Sequence, residues 1–395
     1  MTQRVDSRQP HVAILLKTNE GGLWIRAQVE ELLRRGARVS LIIPPGPGQL
    51  KRHLSDLNIN VVDSPFNFSF KPVPSTFVGL FRLRRLIRLL QPSVVFYHLY
   101  ASALAGRLST AFLRIPRVHM VAGPLYLESP LISRVEGVLR AMDSVIISGS
   151  DFTYRAYEKL KGLRPGRHES IAYGVDSTRF DVRNGPRESL RGALGMKSNA
   201  FTAVMVAYTY APKQMLDFSV GVKGHELLLQ AWKSFHAQHP EDTELYIVGS
   251  GFDEAGEKHR QRLIAQQVSG ITWVDTVEDV RDYYHASDVS VSPSVSENHG
   301  AAMEAGACGC PQIVSEAGGL PEMVNETSGW VYPVFDVDAL ANRLNEAYEA
   351  WSQGTLNNRA LEARRHISSS FDAALCAAKV VDVILDAEHS RGRWV

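Results

Sequence analysis

Two glutamates lie at a spacing that suits binding of a phosphorylated sugar. Glu297 and Glu304 are seven residues apart in PSVSENHGAAMEAGACGCP (293–311), and residues about two helical turns apart share one face. A carboxylate accepts hydrogen bonds from paired sugar hydroxyls, and the small residues Gly300 and Ala301 leave a helix start open to a phosphate. For an isolated pair, a helix cap and a solvated side chain remain the favoured explanation.

Three other loops follow apolar runs and carry glycine or lysine. The loop KTNEGG ends in Gly21 and Gly22, and paired glycines let the backbone approach a ligand. Lys223 precedes an amphipathic helix, where a lysine can reach a diphosphate. Gly249 opens a Gly-x-Gly pattern, but the third glycine of a dinucleotide fingerprint is misplaced, so a nicotinamide cofactor is not expected. A tight turn and a surface lysine are the alternatives.

The elements that position these residues alternate between strands and helices. Strands are predicted at 11–16, 39–43, 60–62, 93–97, 117–121, 144–148, 201–207, 244–248, 271–274, 288–292, 311–315 and 329–332. Helices are predicted at 75–92, 224–238, 254–268, 279–286, 300–309, 336–351 and 371–388. This alternation predicts an α/β protein with two Rossmann-like domains, each with a parallel sheet, facing each other across a cleft. Ligands bind such sheets at the carboxyl ends of the strands.

The chain length of 395 residues favours two domains. We expect an N-terminal Rossmann-like domain over 1–180, a C-terminal one over 181–370, and a helix and tail over 371–395 that pack back on the first. The net charge of +1 conceals an asymmetry: residues 1–180 hold 25 Lys and Arg against 13 Asp and Glu, or +12, and the remainder carries −11. A basic half suits an anionic membrane or a phosphorylated substrate, and nucleic acid is disfavoured because no recognition motif accompanies it.

Composition excludes several classes of protein. With 45% apolar and 22% charged residues, the chain is globular rather than disordered. The sequence contains no window of 18 apolar residues, so no membrane-spanning helix is expected. Because the start of the sequence is polar, a secretory signal is not expected either. Cys308, Cys310 and Cys376 are most simply free thiols, which predicts a cytoplasmic location.

The segment 75–92 combines apolar and basic character. STFVGLFRLRRLIRLLQP contains eight large apolar residues, four arginines and no acid. Such a helix suits peripheral contact with an anionic membrane at its inner face. The alternative is a crossover helix that packs on the sheet and keeps its arginines at the rim.

Taken in order, these segments resemble glycosyltransferase family 4, the retaining enzymes with the GT-B fold. The resemblance is strongest in YYHASDVSVSPSVSENHGAAMEAGACGCPQIVSEAGGLPEMV (283–324) and continues in GWVYPVFDVDALANRLNEA (329–347). It implies metal-independent transfer of a sugar from a nucleotide diphosphosugar, UDP-sugars being favoured, to a soluble or lipid-linked hydroxyl acceptor in glycan, glycolipid or natural-product biosynthesis. A nucleotide-sugar epimerase and a non-catalytic nucleotide-sugar-binding relative remain alternatives.

The resemblance also implies roles for individual residues. Glu297 would hold a hydroxyl of the donor hexose, Glu304 would hold the ribose hydroxyls, and Lys223 would neutralise the departing diphosphate. Further donor contacts are implied at Gly21, Gly22, Gly249, Val277, His299, Gly300 and Ala301. The Asp336-x-Asp338 pair resembles a metal-binding pair but precedes a helical pattern, so we interpret it as a helix cap.

The sequence departs from the family pattern at three places. Six residues separate the glutamates where the family has seven, Tyr208 stands where arginine is usual, and Ala122 stands where histidine is usual. His98 and His119 are nearby substitutes for that histidine. We select His98 as a catalytic candidate because it ends its strand and should face the ligand-binding edge.

Overall fold

The computed structural model describes residues 9–20, 22–123, 125–163, 166–181, 183–212 and 220–389. The chain divides into two units, Met1–Gly174 with Ala373–Val395, and Val175–Asp372. The sequence placed these divisions at 180/181 and 370/371. The structure assigns Val175 to the second unit, where its amide donates to the Phe371 carbonyl over 2.8 Å.

The first unit is built on a parallel sheet of seven strands among its described residues. In chain order they are β1 His11–Leu15, β2 Arg38–Ile43, β3 Asn60–Asp63, β4 Val94–His98, β5 Arg117–Val121, β6 Val145–Ser148 and β7 Arg167–Ser170. Their order across the sheet is β3-β2-β1-β4-β5-β6-β7. Six of them match the predicted strands, whereas β7 was missed because its sequence, RHES, is polar.

Helices cover both faces of this sheet. They are α1 Ile25–Arg34, α2 Gln49–His53, α3 Pro74–Leu90, α4 Tyr100–Thr110, α5 Pro130–Leu139, α6 Asp151–Glu158 and the C-terminal α15 Ala373–His389. Helix α15 buries Val380, Val381 and Ile384 in the same core as Val29 of α1, and Arg35 pairs with Asp382 at 3.0 Å. The predicted return of the C-terminal helix to the first domain is therefore confirmed.

The second unit has a six-stranded parallel sheet within the described ranges. Its strands are β8 Phe201–Val206, β9 Thr243–Val248, β10 Ile271–Val274, β11 Val289–Ser292, β12 Gln312–Ser315 and β13 Gly329–Tyr332. Their order is β10-β9-β8-β11-β12-β13. Its helices are α7 Ser177–Asp181, α8 Arg187–Leu194, α9 His225–His236, α10 Glu254–Ile264, α11 Arg281–Ala286, α12 Gly300–Ala307, α13 Val337–Ser352 and α14 Leu356–Ser370. All six strands coincide with predicted ones, and the two Rossmann-like sheets confirm the predicted fold class.

None of the helices in the described ranges combines the length and the hydropathy that a membrane span requires. The three cysteines are buried, and none of them forms a disulfide among the described residues. Their burial inside the second unit and α15 gives each a packing role.

A buried ionic network joins the helices and strands of the first unit. Arg107 is fully buried, and its guanidinium contacts Glu136 at 2.6 Å and Asp143 at 2.5 Å. It also donates to His119 Nδ1 over 3.2 Å, while Tyr97 donates to Asp143. Burial raises the pKa of Asp143 despite the neighbouring arginine. One cation therefore compensates two carboxyl groups that have no access to water.

Arg107→Met should destabilise the first unit strongly. The substitution leaves two buried carboxyl groups without their cation, which typically costs about 3–5 kcal/mol of unfolding free energy. Chemical denaturation of the purified variant measures the loss, and Arg114→Met, at an exposed arginine, is the matched control. A loss below about 1 kcal/mol, comparable to the control, would show that the network is not stabilising.

Candidate functional site

A pocket opens at the carboxyl edge of the second sheet, where the loops after β8, β9 and β10 meet the starts of α9 and α12. Its volume is about 260 Å³. It is lined by Val206, Ala207, Tyr208, Tyr210, Lys223, Val248, Gly249, Thr276, Val277, Val280 and Ala301. Four residues predicted to contact the donor, Lys223, Gly249, Val277 and Ala301, are therefore brought together.

Backbone contact between two loops positions Lys223. Gly224, directly before α9, has a φ of +71°, and a Cβ atom there would lie 2.0 Å from the Pro293 carbonyl oxygen. Val295 donates its amide to the Val222 carbonyl over 2.9 Å on the other side of the lysine. The loop before α9 is thereby fixed against the loop after β11.

This arrangement brings Lys223 onto Glu297. Lys223 Nζ donates a hydrogen bond to Glu297 Oε2, and the two side chains are 22% and 17% exposed. Burial by itself lowers the pKa of Lys223, but the charge and hydrogen bond of Glu297 outweigh it and leave the pKa raised. Lys223 thus keeps its charge beside Glu297, and the pair is largely shielded from water, which strengthens its attraction.

The start of α12 offers backbone rather than side-chain groups. The His299 ring is buried, with Nε2 3.1 Å from Glu322 Oε2, and forms an edge-to-face contact with the Phe371 ring. No side chain caps α12 among the described residues. Its first N–H groups therefore remain suited to an anion, and His299 can contribute only its backbone there.

Glu304 lies one helical turn beyond Ala301 on α12 and outside the lining of the 260 Å³ pocket. Burial raises the pKa of Glu304 to about 7, an effect that Arg179 opposes and Asp279 reinforces. Its carboxylate forms no hydrogen bond or ion pair within the described ranges. It is therefore poised to accept hydrogen bonds from a ligand.

Comparisons with known proteins agree with this geometry. The family model described as Glycosyltransferase Family 4 matches residues 22–179, and the one described as Glycosyl transferases group 1 matches 217–350. The chain belongs to these glycosyltransferases. The first match lies almost wholly in the first unit, and the second lies within the second unit.

Two relatives of this glycosyltransferase chain are named as different sugar-transferring enzymes. It is 29% identical over 204 residues to D-inositol 3-phosphate glycosyltransferase 2 of Catenulispora acidiphila, covering 49% of this chain and 45% of that protein. It is 28% identical to the GDP-mannose-dependent monoacylated alpha-(1-6)-phosphatidylinositol monomannoside mannosyltransferase of Corynebacterium glutamicum, covering 50% and 51%. The chain thus spans about half the length of these curated relatives.

The fold is shared over nearly the whole chain. The crystal structure of Anabaena Alr3699/HepE in complex with UDP-glucose superimposes with a TM-score of 0.77 at 19% identity, over 95% of this chain and 99% of that one. At this identity the likeness establishes the GT-B fold alone.

Two tyrosines line the pocket, and Phe252 packs against both, where this glycosyltransferase chain departs from its family. Tyr208, at the position of the usual arginine, meets Phe252 with ring centroids 5.9 Å apart, and Tyr210 stacks on Phe252 at 4.7 Å. Tyr208 and Phe252 are 46% and 59% exposed. Tyr210 and Phe252 were missed from the sequence, although both follow strands that end at this edge.

The candidates in the first unit are more enclosed. Gly21 lies outside the described residues. Gly22 is buried with a φ of +87°, and a Cβ atom there would lie 2.7 Å from the Leu16 side chain. Packing is therefore one reason for a glycine at this position, beside its predicted role in closing over a donor.

His98 does not face the open edge of the sheet, and that expectation was wrong. The ring is fully buried, lies against Phe96, and contacts the Tyr173 hydroxyl through Nδ1 at 3.3 Å. Burial lowers the pKa of His98 to about 3, so the imidazole is neutral at physiological pH. His119 is equally buried and belongs to the Arg107 network. The catalytic role of His98 stays a prediction.

Asp336 accepts a hydrogen bond from the Ala339 amide over 2.8 Å at the start of α13. The interpretation of the Asp336-x-Asp338 pair as a helix cap is therefore confirmed.

Glu304→Gln should stabilise the unliganded protein at high pH. The pKa of Glu304 is about 7 in the folded protein and 4.5 without its environment, so ionisation of Glu304 destabilises the fold by about 3 kcal/mol at pH 8 and above. The benefit of glutamine should appear at pH 8 and shrink as the pH falls towards 5. Denaturation across this range measures it, with exposed Glu326→Gln as the control. A pH-independent difference would contradict the raised pKa.

Proposed function

We propose that this chain is a retaining glycosyltransferase that moves a sugar from a nucleotide diphosphosugar to a hydroxyl acceptor. The observation that carries the proposal is the contact between Lys223 and Glu297 beside the 260 Å³ pocket and the start of α12, which no described side chain caps. A phosphate-binding cation, a sugar-binding carboxylate and a helix N-terminus are then available to one ligand.

Donor binding divides the pair between two parts of the ligand. The diphosphate competes for Lys223, because its oxygens carry more negative charge than one carboxylate. Glu297, once released, accepts a hydrogen bond from a hydroxyl of the donor hexose. The nucleotide base packs near Val277, and Glu304 accepts the ribose hydroxyls.

The reaction proceeds by stabilising the leaving group. As the bond between the sugar C1 and the phosphate oxygen breaks, negative charge on the diphosphate is met by Lys223 and by the N–H groups at the start of α12. The acceptor oxygen forms its bond to C1 on the face that the leaving group vacates. Its proton passes to the departing phosphate oxygen, so the configuration is retained and no carboxylate serves as nucleophile, unlike in retaining glycosidases.

The nucleotide and the acceptor are proposed from the relatives and from the charge of the chain. UDP-sugars are the first donors to examine, since HepE was crystallised with UDP-glucose. GDP-mannose is the competing donor, since one relative is named for it. Phosphorylated inositol, soluble or within a lipid, appears in the names of two relatives and would suit the excess of basic residues in 1–180.

Two other functions remain to be separated from transfer by measurement. An epimerase of this fold would convert the nucleotide sugar without an acceptor, and a non-catalytic relative would bind it without turnover. The replacement of the usual arginine by Tyr208 motivates the second alternative. A cytoplasmic location remains our expectation for all three functions.

Thermal denaturation with UDP-, GDP- and ADP-sugars identifies the donor, because a ligand stabilises the state that it binds. Chromatography of reactions with the donor so found, with and without hydroxyl acceptors, then detects the product. Glycosylated acceptor and free nucleoside diphosphate in equal amounts support transfer. Conversion without acceptor supports the epimerase, and stabilisation without turnover supports the binding protein.

Lys223→Met should reduce kcat by about 100-fold or more, because the developing charge on the diphosphate loses its cation. Steady-state kinetics with the identified donor measures the change. Lys233→Met, at an exposed lysine on α9, is the matched control and should retain wild-type turnover. A Lys223→Met enzyme with unchanged kcat would exclude the proposed role of this lysine.

Transfer should persist without divalent metal, since Lys223 and the α12 amides supply the positive charge that a metal ion would otherwise provide. Assays in EDTA, with and without added Mg²⁺ or Mn²⁺, measure the dependence. Activity that disappears in EDTA and returns with either ion would refute this expectation.

A further inference from the structure

Helix α3 presents two different faces. On its inner face, the side chains of Leu83 and Ile87 are buried in the same core as Phe66, and Gly79 lies against the Phe66 ring. On the opposite face, Phe77, Phe81 and Leu89 are 70%, 69% and 72% exposed. The helix is set in place by a proline at its start and by Gln91 in the left-handed conformation after its end.

Packing on the sheet explains only part of this apolar surface. Leu80, Leu86 and Leu90 are half-buried against the same core as Leu83 and Ile87, so five large apolar residues supply the inner face that a crossover helix needs. The exposed phenylalanines and Leu89 contribute nothing to it. Large apolar groups grouped together in water usually mark a surface that binds something.

A second element extends the exposed face. Arg84, at the edge of α3 next to Phe81 and Arg88, donates to the carbonyls of Ser109 and Ala111 at 3.2 and 2.6 Å. These contacts fix the end of α4 beside α3. Phe112 follows immediately, fully exposed and with a φ of +61°, a conformation that is unfavourable for a bulky residue.

The aromatic-arginine face comprises Phe77, Phe81, Arg85, Arg88, Leu89 and Phe112. Residues 64–127 include eight Lys and Arg and no Asp or Glu. Arg107 is buried in its network, whereas Arg85 and Arg88 are exposed and form no ion pair within the described ranges. Exposed aromatic rings thus lie among guanidinium groups that lack carboxylate partners on their own segment.

We propose that the aromatic-arginine face docks the first unit on an anionic phospholipid surface. The rings of Phe77, Phe81 and Phe112 would enter the boundary between headgroups and acyl chains, and Arg85 and Arg88 would bind lipid phosphates. A second copy of the chain fits less well, because two such faces in symmetric contact bring their arginines together. This inference goes beyond sugar transfer and does not depend on it.

Co-sedimentation of the full chain with phospholipid vesicles tests the proposal, and its readout needs neither donor nor turnover. Vesicles of phosphatidylcholine alone are compared with vesicles that also contain phosphatidylglycerol. We expect binding to the mixed vesicles at low salt and its loss at about 0.5 M salt, where screening shortens the reach of the charges. Equal binding to both vesicles would overturn the anionic preference, and no binding to either would overturn the proposal.

Two pairs of substitutions separate the apolar and charged contributions. Arg85→Glu with Arg88→Glu should weaken binding by at least about 25-fold, since each basic residue near the surface contributes about fivefold. Phe77→Ser with Phe81→Ser should weaken it by about tenfold or more. Arg262→Glu and Leu361→Ser, at exposed positions of the second unit, are the matched controls. Circular dichroism and thermal unfolding confirm that each variant is folded.

Other occupants of the face give different results. A concentration-dependent dimer that Phe77→Ser with Phe81→Ser abolishes, in a protein that does not bind vesicles, would assign the face to self-association. Vesicle binding that survives both pairs of substitutions would place the lipid contact elsewhere. Either result refutes the proposal.

Discussion

Close contact between backbones at the carboxyl edge of the second sheet is the constraint on which the candidate site depends. Gly224 lies against the Pro293 carbonyl, Gly249 against that of Ala207, and Gly318 against that of Glu297, each closer than a Cβ atom would permit. These contacts bring loops from four parts of the sequence within reach of one ligand. Lys223 and Glu297, 74 residues apart, meet because of them. A side chain at any of these glycines would therefore separate the loops, even if every group that binds the ligand were unchanged.

The alternation of apolar runs with helical patterns was sufficient to predict most of the fold, because strands of a covered parallel sheet are buried on both faces. Strand β7 has no such signal. Its residues Arg167–Ser170 are held at the sheet edge by pairing with β6, which a single sequence does not reveal. Helix α14 was missed for a related reason: it follows α13 after a short turn, and its polar outer face obscures the few buried residues, Leu356, Ala363 and Ile367.

The sequence identified several residues that the fold brings to one pocket, although their roles stay predictions, and it misjudged a side chain whose burial depends on distant partners. Lys223, Gly249, Val277 and Ala301 line one pocket, as the family pattern implied. His98 ends its strand as predicted, yet Phe96 and Tyr173, on two different segments, enclose its ring. The contacts among the rings of Tyr208, Tyr210 and Phe252 likewise form only because the ends of β8 and β9 are neighbours in the folded sheet. Sequence spacing gives positions along the chain, and the direction of a side chain comes from packing.

The Lys223–Glu297 pair also bears on how a reaction cycle ends. A nucleoside diphosphate held only by cations is slow to dissociate, since each charge-assisted hydrogen bond must break without a replacement. In the proposed reaction, Glu297 would reclaim Lys223 as soon as the sugar has left, because the two side chains already pair without a ligand. The return of this ion pair would weaken the hold on the spent nucleotide relative to the intact donor, whose hexose would keep Glu297 engaged. In a cell where nucleoside diphosphates accumulate, such a site would tolerate its own product and continue to turn over.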